Sequence, residues 1–377
     1  MSCKKNKAAY SPLGALVSKI EGGGTPSKEV PGFWDGDIPL LTIKDLPNAR
    51  LGVTVDRITA KGLESSSSKI VPAGIPVIAT RMDVGRVVRC PVPVAINQDL
   101  RAIYPDPDKV DVDYIVQVLP TLEREFRRYS CGSTVMGIGI DDLKSIKIYL
   151  PPLAEQRKIA EILRTWDEAI ETSEAELKAK QGRKRWMMDQ LMRLGPTGVA
   201  RSSRSGWSAE KLGDILEIHH GKNQREVETP EGIYPILGTG GVIGRTNAYL
   251  YDKPSVMIGR KGTIDRPQYM DTPFWTIDTL FYTSISERAF PRFIFYVFCT
   301  INWQQYNAAT GVPSLAAATI ESIKIQLPPL AEQRKIAEIL QAVDADTEVI
   351  NCRVKTLRAQ KRGLMQKLLT GEVRVAA

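Results

Sequence analysis

The chain has 377 residues, 43% of them hydrophobic and 25% charged, with a formal net charge of +8. That length accommodates about two domains, and the composition is globular rather than disordered. No run of eighteen apolar residues occurs, and the basic start MSCKKNKAAYSPLG lacks the apolar stretch of a secretory leader, so neither a membrane span nor export is expected.

A cytoplasmic protein is therefore the expectation. The positive charge is spread along the chain, which permits a nucleic-acid partner without demanding one. Cysteines at 3, 90, 131, 299 and 352 show no C-x-x-C spacing, so neither a disulfide framework nor a zinc cluster is expected. The adjacent His219 and His220 read as a surface or turn pair rather than a metal site.

In chain order, residues 1–150 carry short strand-like runs between glycines and prolines: IPLLTI (38–43), GIPVIAT (74–80) and RVVRC (86–90). Ile115, Leu119, Leu122 and Phe126 fall on a helical stripe, with Pro120 as a kink. The segment LPPLAEQRKIAEIL then opens a long helix at 150–163. Two prolines suit the first turn, whose donors lack partners, and Glu155 suits the positive end of the helix dipole. Apolar residues recur in steps of four and three at Ile159, Leu163, Trp166, Ile170 and Leu177, then at Met187, Leu191 and Leu194. Ser173, Lys180 and Lys184 interrupt the stripe.

Residues 207–327 repeat the plan with strands at YPIL (234–237), SVMIG (255–259) and WTIDTLFY (275–282), then a buried helix over 293–303. The fourteen letters of the first helix start return at 327–340. Over 145–163 and 322–340 the only difference is Tyr149 against Gln326. The second stripe continues through Ile336, Leu340, Val343, Ile350, Val354, Leu357, Leu364 and Leu368, interrupted at Thr347 and Lys361.

A 3.5-residue apolar period marks a coiled-coil seam, and about 40 residues make a helix of about 60 Å. Each copy's obvious partner is the other, run antiparallel. The expected fold is α+β: two blocks with small twisted sheets (1–150 and 207–327), separated by two long antiparallel coiled-coil helices (151–206 and 328–377) with pseudo-twofold symmetry. Ordinary bundle core is the alternative for the stripe. Core packing does not require identical surface letters, however, so the repeated segments point to one partner docking twice, and Glu155, Gln156, Glu332 and Gln333 are expected to face that partner or the globular blocks.

Each block also sets basic or polar residues directly after apolar strands. Thr80 and Arg81 follow PVIA, Arg260 and Lys261 follow VMIG, Lys44 follows LLTI, and Thr239 follows YPILG. Arg86 opens the RVVRC run, and Lys222 and Arg225 lie in HHGKNQRE (219–226). Arginine can grip the O6 and N7 of guanine with two hydrogen bonds, so these are candidate DNA contacts. A solvated loop charge is the alternative for each.

The layout resembles the specificity (S) subunits of type I restriction-modification systems, over nearly the whole chain. The likeness is carried by LGALVSKIEGGGTPS (13–27), FWDGDIPLL (33–41), INQDL (96–100) and GSTVMGIGIDDLKSIKIYLPPLAEQRKIAEIL (132–163). The second half adds KLGDILEIHHGKNQRE (211–226), YPILGTGG (234–241), SVMIGRKGTI (255–264), FWTIDTLFYT (274–283) and the second LPPLAEQRKIAEIL.

The resemblance implies that each block is a target-recognition domain reading one half of a split, asymmetric site in double-stranded DNA. It implies that the two helices space these domains, and that two copies of an adenine-N6 methyltransferase (M) subunit dock on the repeated segments. It leaves room for restriction (R) subunits. Adenine methylation by this chain itself would need an N/D-P-P-aromatic motif, and ATP use a G-x-x-x-x-G-K-[ST] loop. Neither occurs, so no cofactor is expected and the chain is read as non-catalytic. Two readings from other classes remain at this point. One is a metal-dependent nuclease built on Pro105-Asp106 and Asp142-Leu143-Lys144. The other is an assembly scaffold without a DNA role.

Overall fold

The computed structural model describes residues 10–51, 53–130, 137–194 and 206–376. They form two compact units. One comprises residues up to 172 together with 353 onward, the other residues 173–352. The four segments read from the sequence become two bodies because each long helix contributes to both.

In the first unit, β1 (Tyr10–Pro12) pairs antiparallel with β10 (Lys147–Tyr149). Between them in sequence lie two four-stranded sheets. One is antiparallel, in the order β2 (Val17–Gly22), β9 (Leu100–Pro105), β6 (Pro76–Ala79), β7 (Val87–Arg89). The other runs β4 (Asp56–Ile58), β3 (Trp34–Leu41), β8 (Val94–Ile96), β5 (Lys69–Val71), with β3 and β8 parallel. Every residue of β6 is buried, which explains its unbroken apolar run.

The second unit follows the same plan. β11 (Ser208–Lys211) pairs with β19 (Lys324–Leu327). One sheet has the order β12 (Leu216–His220), β18 (Leu280–Ile285), β15 (Ser255–Gly259), β16 (Gln268–Met270). The other has the order β14 (Gly241–Thr246), β13 (Tyr234–Gly238), β17 (Trp275–Thr276), with β13 and β17 parallel. The strand expected over 275–282 is split in two. The Ile277 N–H turns to the Leu237 carbonyl at 3.1 Å, and Leu280 restarts the ladder. His219 and His220 are strand residues rather than a turn pair. They lie opposite Tyr282 and Phe281, with His219 stacked on Tyr282 and bonded to the Ser284 hydroxyl.

The long helices span Leu153–Leu194 and Leu330–Leu368, 42 and 39 residues. Both start directly after their proline pair. Within the first unit Asp167 meets Lys361 and Glu155 meets Arg374. Within the second, Lys180 meets Asp346 and Lys184 meets Asp344. Numbers rise on one helix as they fall on the other, so the pair is antiparallel in each unit, as the sequence predicts.

The stripe is not a two-helix seam throughout. Ile159 and Leu163 sit in a core with Tyr114, Ile115, Val118, Leu119 and Phe126 of their block and with Leu368 and Leu369 from the end of the second long helix. Ile336 and Leu340 do the same with Phe293, Ile294, Val297, Met188 and Leu191. Burial of each such aliphatic side chain contributes about 1.5–3 kcal/mol. Further along, Ile170, Ile350 and Val354 are buried, while Trp166, Leu177, Val343 and Leu357 are half-buried. Met188 turns inward instead of Met187. The helical stripe ending at Phe126 breaks where Pro120 removes a donor. Helices Val112–Val118 and Glu123–Tyr129 flank one tight turn, Leu119–Leu122.

Candidate nucleic-acid interface

Each block gathers the ends of its strands into one cluster of loops, and matching main-chain bonds build both clusters. In the first unit Gly24 N–H donates to the Ile96 carbonyl at 3.1 Å, Asn97 N–H to Leu41 at 3.3 Å and Thr80 N–H to Asp99 at 2.8 Å. In the second, Lys222 donates to Thr276 at 2.9 Å, Ile277 to Leu237 at 3.1 Å and Arg260 to Thr279 at 2.8 Å. Arg81 bridges to Gly137 as Lys261 bridges to Ser314. The framework therefore equates Gly24 with Lys222, Thr80 with Arg260, and Arg81 with Lys261.

Two backbone positions show how tightly the loops are built. A Cβ on Gly23 would lie 1.9 Å from the Ile96 carbonyl oxygen, and one on Gly221 2.0 Å from that of Ile277. Only glycine passes there. One residue beyond the Arg81/Lys261 pair, both loops turn left-handed. Gly262 does so at φ +93, its counterpart Met82 at φ +63. A side chain in that conformation costs about 1–2 kcal/mol.

In the second unit Lys222, Thr239, Arg260 and Lys261 converge on this cluster. Gly262 faces the Thr239 hydroxyl, and Arg260 Nη1 donates to the Asp278 carbonyl at 3.3 Å. Arg225 stays exposed two residues beyond Asn223, whose side chain accepts its amide. In the first unit Arg81 is exposed. Lys44 is exposed but paired with Asp56 at 3.2 Å, and Arg86 with Asp83 at 3.0 Å.

Thr80 departs from expectation. It is 4% exposed, and its amide and hydroxyl both donate to the Asp99 carbonyl, so it serves the loop framework rather than the exposed surface. The exposed cation of the first unit follows one position later than Arg260. Sequence reasoning passed over Gln98 and Asp278, exposed at equivalent loop tips; the INQDL segment was the available signal. It also passed over Val242 and Ile243, 62% and 50% exposed on the hairpin that turns at Gly241. Arg101 was missed too. It is half-buried, with Nη1 bonded to the Gln98 and Leu100 carbonyls, and burial plus the Arg81 charge lower its pKa.

The repeated helix starts face inward. Gln156 Oε1 accepts from Asp111 N–H at 2.9 Å, and its Nε2 donates to the Lys109 and Pro151 carbonyls. Gln333 accepts from Phe290 N–H at 2.7 Å and donates to the Arg288 and Pro328 carbonyls. The two glutamines are 1% and 0% exposed, so they join each helix to its own block and do not form a docking face. Their partners are all main-chain atoms, which blocks of unlike sequence share. Glu155, 3% exposed, takes the Arg374 guanidinium, which holds its carboxyl below the ordinary range. The half-buried Glu332 accepts from Trp207 Nε1 at 2.9 Å.

The family model for the type I restriction modification DNA specificity domain matches residues 12–180 and 204–357. The chain belongs to that family. The type I restriction enzyme MjaIX specificity subunit of Methanocaldococcus jannaschii is 25% identical, over 95% of this chain and 92% of its own. The EcoprrI specificity subunit of Escherichia coli is also 25% identical, over 90% and 89%. The S subunit of a type I restriction-modification system from M. genitalium has a similar fold, with a TM-score of 0.67 at 17% identity over 97% of both chains.

As a type I specificity subunit the chain is a recognition component and not the catalytic one. Among the described residues of this specificity subunit, no group of three or more His, Cys, Asp or Glu side chains could hold a metal ion. Asp106, one half of the nuclease-like pattern, is a turn residue paired with Lys109 at 2.8 Å. Residues 132–136 of the family-like segment lie outside the described residues. No helix among the described residues is long and apolar enough to cross a membrane.

Proposed function

We propose that this specificity subunit reads a bipartite, asymmetric target in double-stranded DNA, one half with each loop cluster, and docks two adenine-N6 methyltransferase (M) subunits. One observation carries the reading. The two blocks share a main-chain framework but differ along it, the buried Gly24 against the exposed Lys222 and, at a position exposed in both, Arg81 against Lys261, while the helix starts are identical. Unlike loops on a common frame suit unlike half-sites; identical helix surfaces suit two copies of one partner. With the glutamines turned inward, the docking role falls to the outward letters of the repeat: Arg157, Lys158 and Glu161, and Arg334, Lys335 and Glu338.

Arg81, Arg260 and Lys261 are the contacts best disposed to read base edges, with Lys44, Arg86, Lys222 and Arg225 to phosphates and Thr239 beside them. The test is to co-express the chain with an M subunit and map N6-methyladenine across the cell's DNA. Two different short motifs at one fixed separation are expected, with two M subunits per chain by native mass. A single palindromic motif, or methylation without a motif, overturns the reading.

A further inference from the structure

Two lysines interrupt the apolar stripes in corresponding places. Lys184 and Lys361 are 177 positions apart, the offset of the repeat itself. Each meets an aspartate on the other long helix, and those aspartates, Asp344 and Asp167, are also 177 apart. In the first unit Lys361 Nζ lies 2.6 Å from Asp167 Oδ1 and 3.2 Å from Gln117 Oε1. Gln117 Nε2 in turn donates to Asp167 Oδ2 at 2.8 Å. In the second unit Lys184 pairs with Asp344 Oδ1, and the Tyr296 hydroxyl donates to Asp344 Oδ2 at 2.8 Å. Lys184 also lies 5.8 Å from the centre of the Tyr296 ring.

Gln117 and Tyr296 correspond as well. Each stands six residues beyond the amide that bonds the buried glutamine, Asp111 or Phe290. Each cluster thus ties three elements at one point: both long helices and the block's own helix. Side-chain exposures are 14% and 22% for Lys361 and Asp167, and 25% and 32% for Lys184 and Asp344, so these pairs are largely withdrawn from water. Another cross-helix pair, Lys180 with Asp346, is not repeated; Leu357 and Ala169 occupy the matching positions.

A withdrawn ion pair is a weak source of net stability, because desolvation offsets the attraction and apolar residues of similar volume would hold as well. Its best-attested use is to fix register, since a slipped arrangement leaves a charge unpaired. We propose that Lys184 and Lys361 are positioning residues for target reading. Each locks its block and both helices into one register and so narrows the separation at which two half-sites are accepted. This rests on the bipartite reading above. A block free to rock on its helix pair would accept half-sites at more than one separation.

The experiment uses the chain assembled with M subunits. It measures adenine methylation of duplexes carrying the mapped target with its gap native, one base pair shorter or one longer. The variants are Lys361→Met, Lys184→Met, the apolar pair Asp167→Leu with Lys361→Leu, and the reversed pair Asp167→Lys with Lys361→Asp. We expect the parent to favour the native gap by at least a hundredfold. The lysine variants and the apolar pair should lose at least tenfold of that preference while keeping base discrimination within each half, and the reversed pair should regain it. An undiminished gap preference in an assembled variant overturns the proposal. So does failure of the apolar pair to assemble, which would make the cluster a stability element. A parent with no gap preference overturns the bipartite reading itself and is told apart by being seen before any substitution.

Discussion

Glu155 and Arg374, 219 positions apart, meet in a two-pronged ion pair, Nε to Oε1 at 2.7 Å and Nη2 to Oε2 at 2.6 Å. The Val375 amide adds a third bond to the same carboxylate. The C-terminal residues are thereby held against the first helix start, where Gly371 turns at φ +76 beside the Tyr149 ring. Glu155 titrates below its unfolded value of about 4.3, chiefly through the Arg374 bond. A carboxyl lowered on folding stabilises the chain above the unfolded value, and that contribution fades as pH falls through the folded one. Hydrogen exchange at Val375 should therefore lose protection on acidification below about pH 4. Glu155→Gln should show low protection already at neutral pH; full protection in that variant would remove the latch.

Gln156→Leu and Gln333→Leu should destabilise by similar amounts. Each leaves one amide and two carbonyls without their side-chain partner at the joint, at about 1–3 kcal/mol per buried unsatisfied group. Urea unfolding of the full chain checks this. A near-neutral Gln333→Leu beside a costly Gln156→Leu would break the equivalence of the two joints.

Ile159→Ala and Ile336→Ala each empty part of a core in which helix and block share side chains. About 2–5 kcal/mol of stability should be lost in either case. Trp166→Ala, at a half-buried stripe position, should show less cooperativity with the block, read by proteolysis of the first unit.

The loop framework separates two neighbouring sequence candidates. Arg260→Ala should relax discrimination at one base of one half-site by about 1–3 kcal/mol, read as methylation rates on single-base variants of the target. Thr80→Val should leave base choice untouched and lower stability, since its hydroxyl serves only the Asp99 carbonyl. Altered base choice in Thr80→Val would show that the frame itself, and not exposed side chains alone, selects the target.

The long helices were legible because period and repetition are properties of residue type, and the central strands because PVIA and SVMIG are buried on both faces. The repeated plan of the two blocks was legible as well, but the position-by-position match of their loops was not. It resides in amide-to-carbonyl bonds that leave no mark on residue choice, so Thr80 and Arg260 can fill one position. The sequence left open whether Gln156 faces a partner or its own block, for a related reason. A polar letter between Glu155 and Arg157 in an amphipathic helix reads as solvent-facing, and only the approach of the Lys109–Asp111 backbone makes it interior. Lys184 and Lys361 read as flaws in the stripe until their carboxylates, more than 150 positions away in each case, are brought beside them.

A joint that touches a neighbour only through its peptide groups is indifferent to that neighbour's ancestry. Gln156 and Gln333 ask an incoming block for one carbonyl and one amide at the right spacing, and for no particular side chain. A recombination event that replaced the block between the two helices would deliver a chain already seated on its support, and on the function proposed above it would change the bases read while leaving the repeated helix surface as it was.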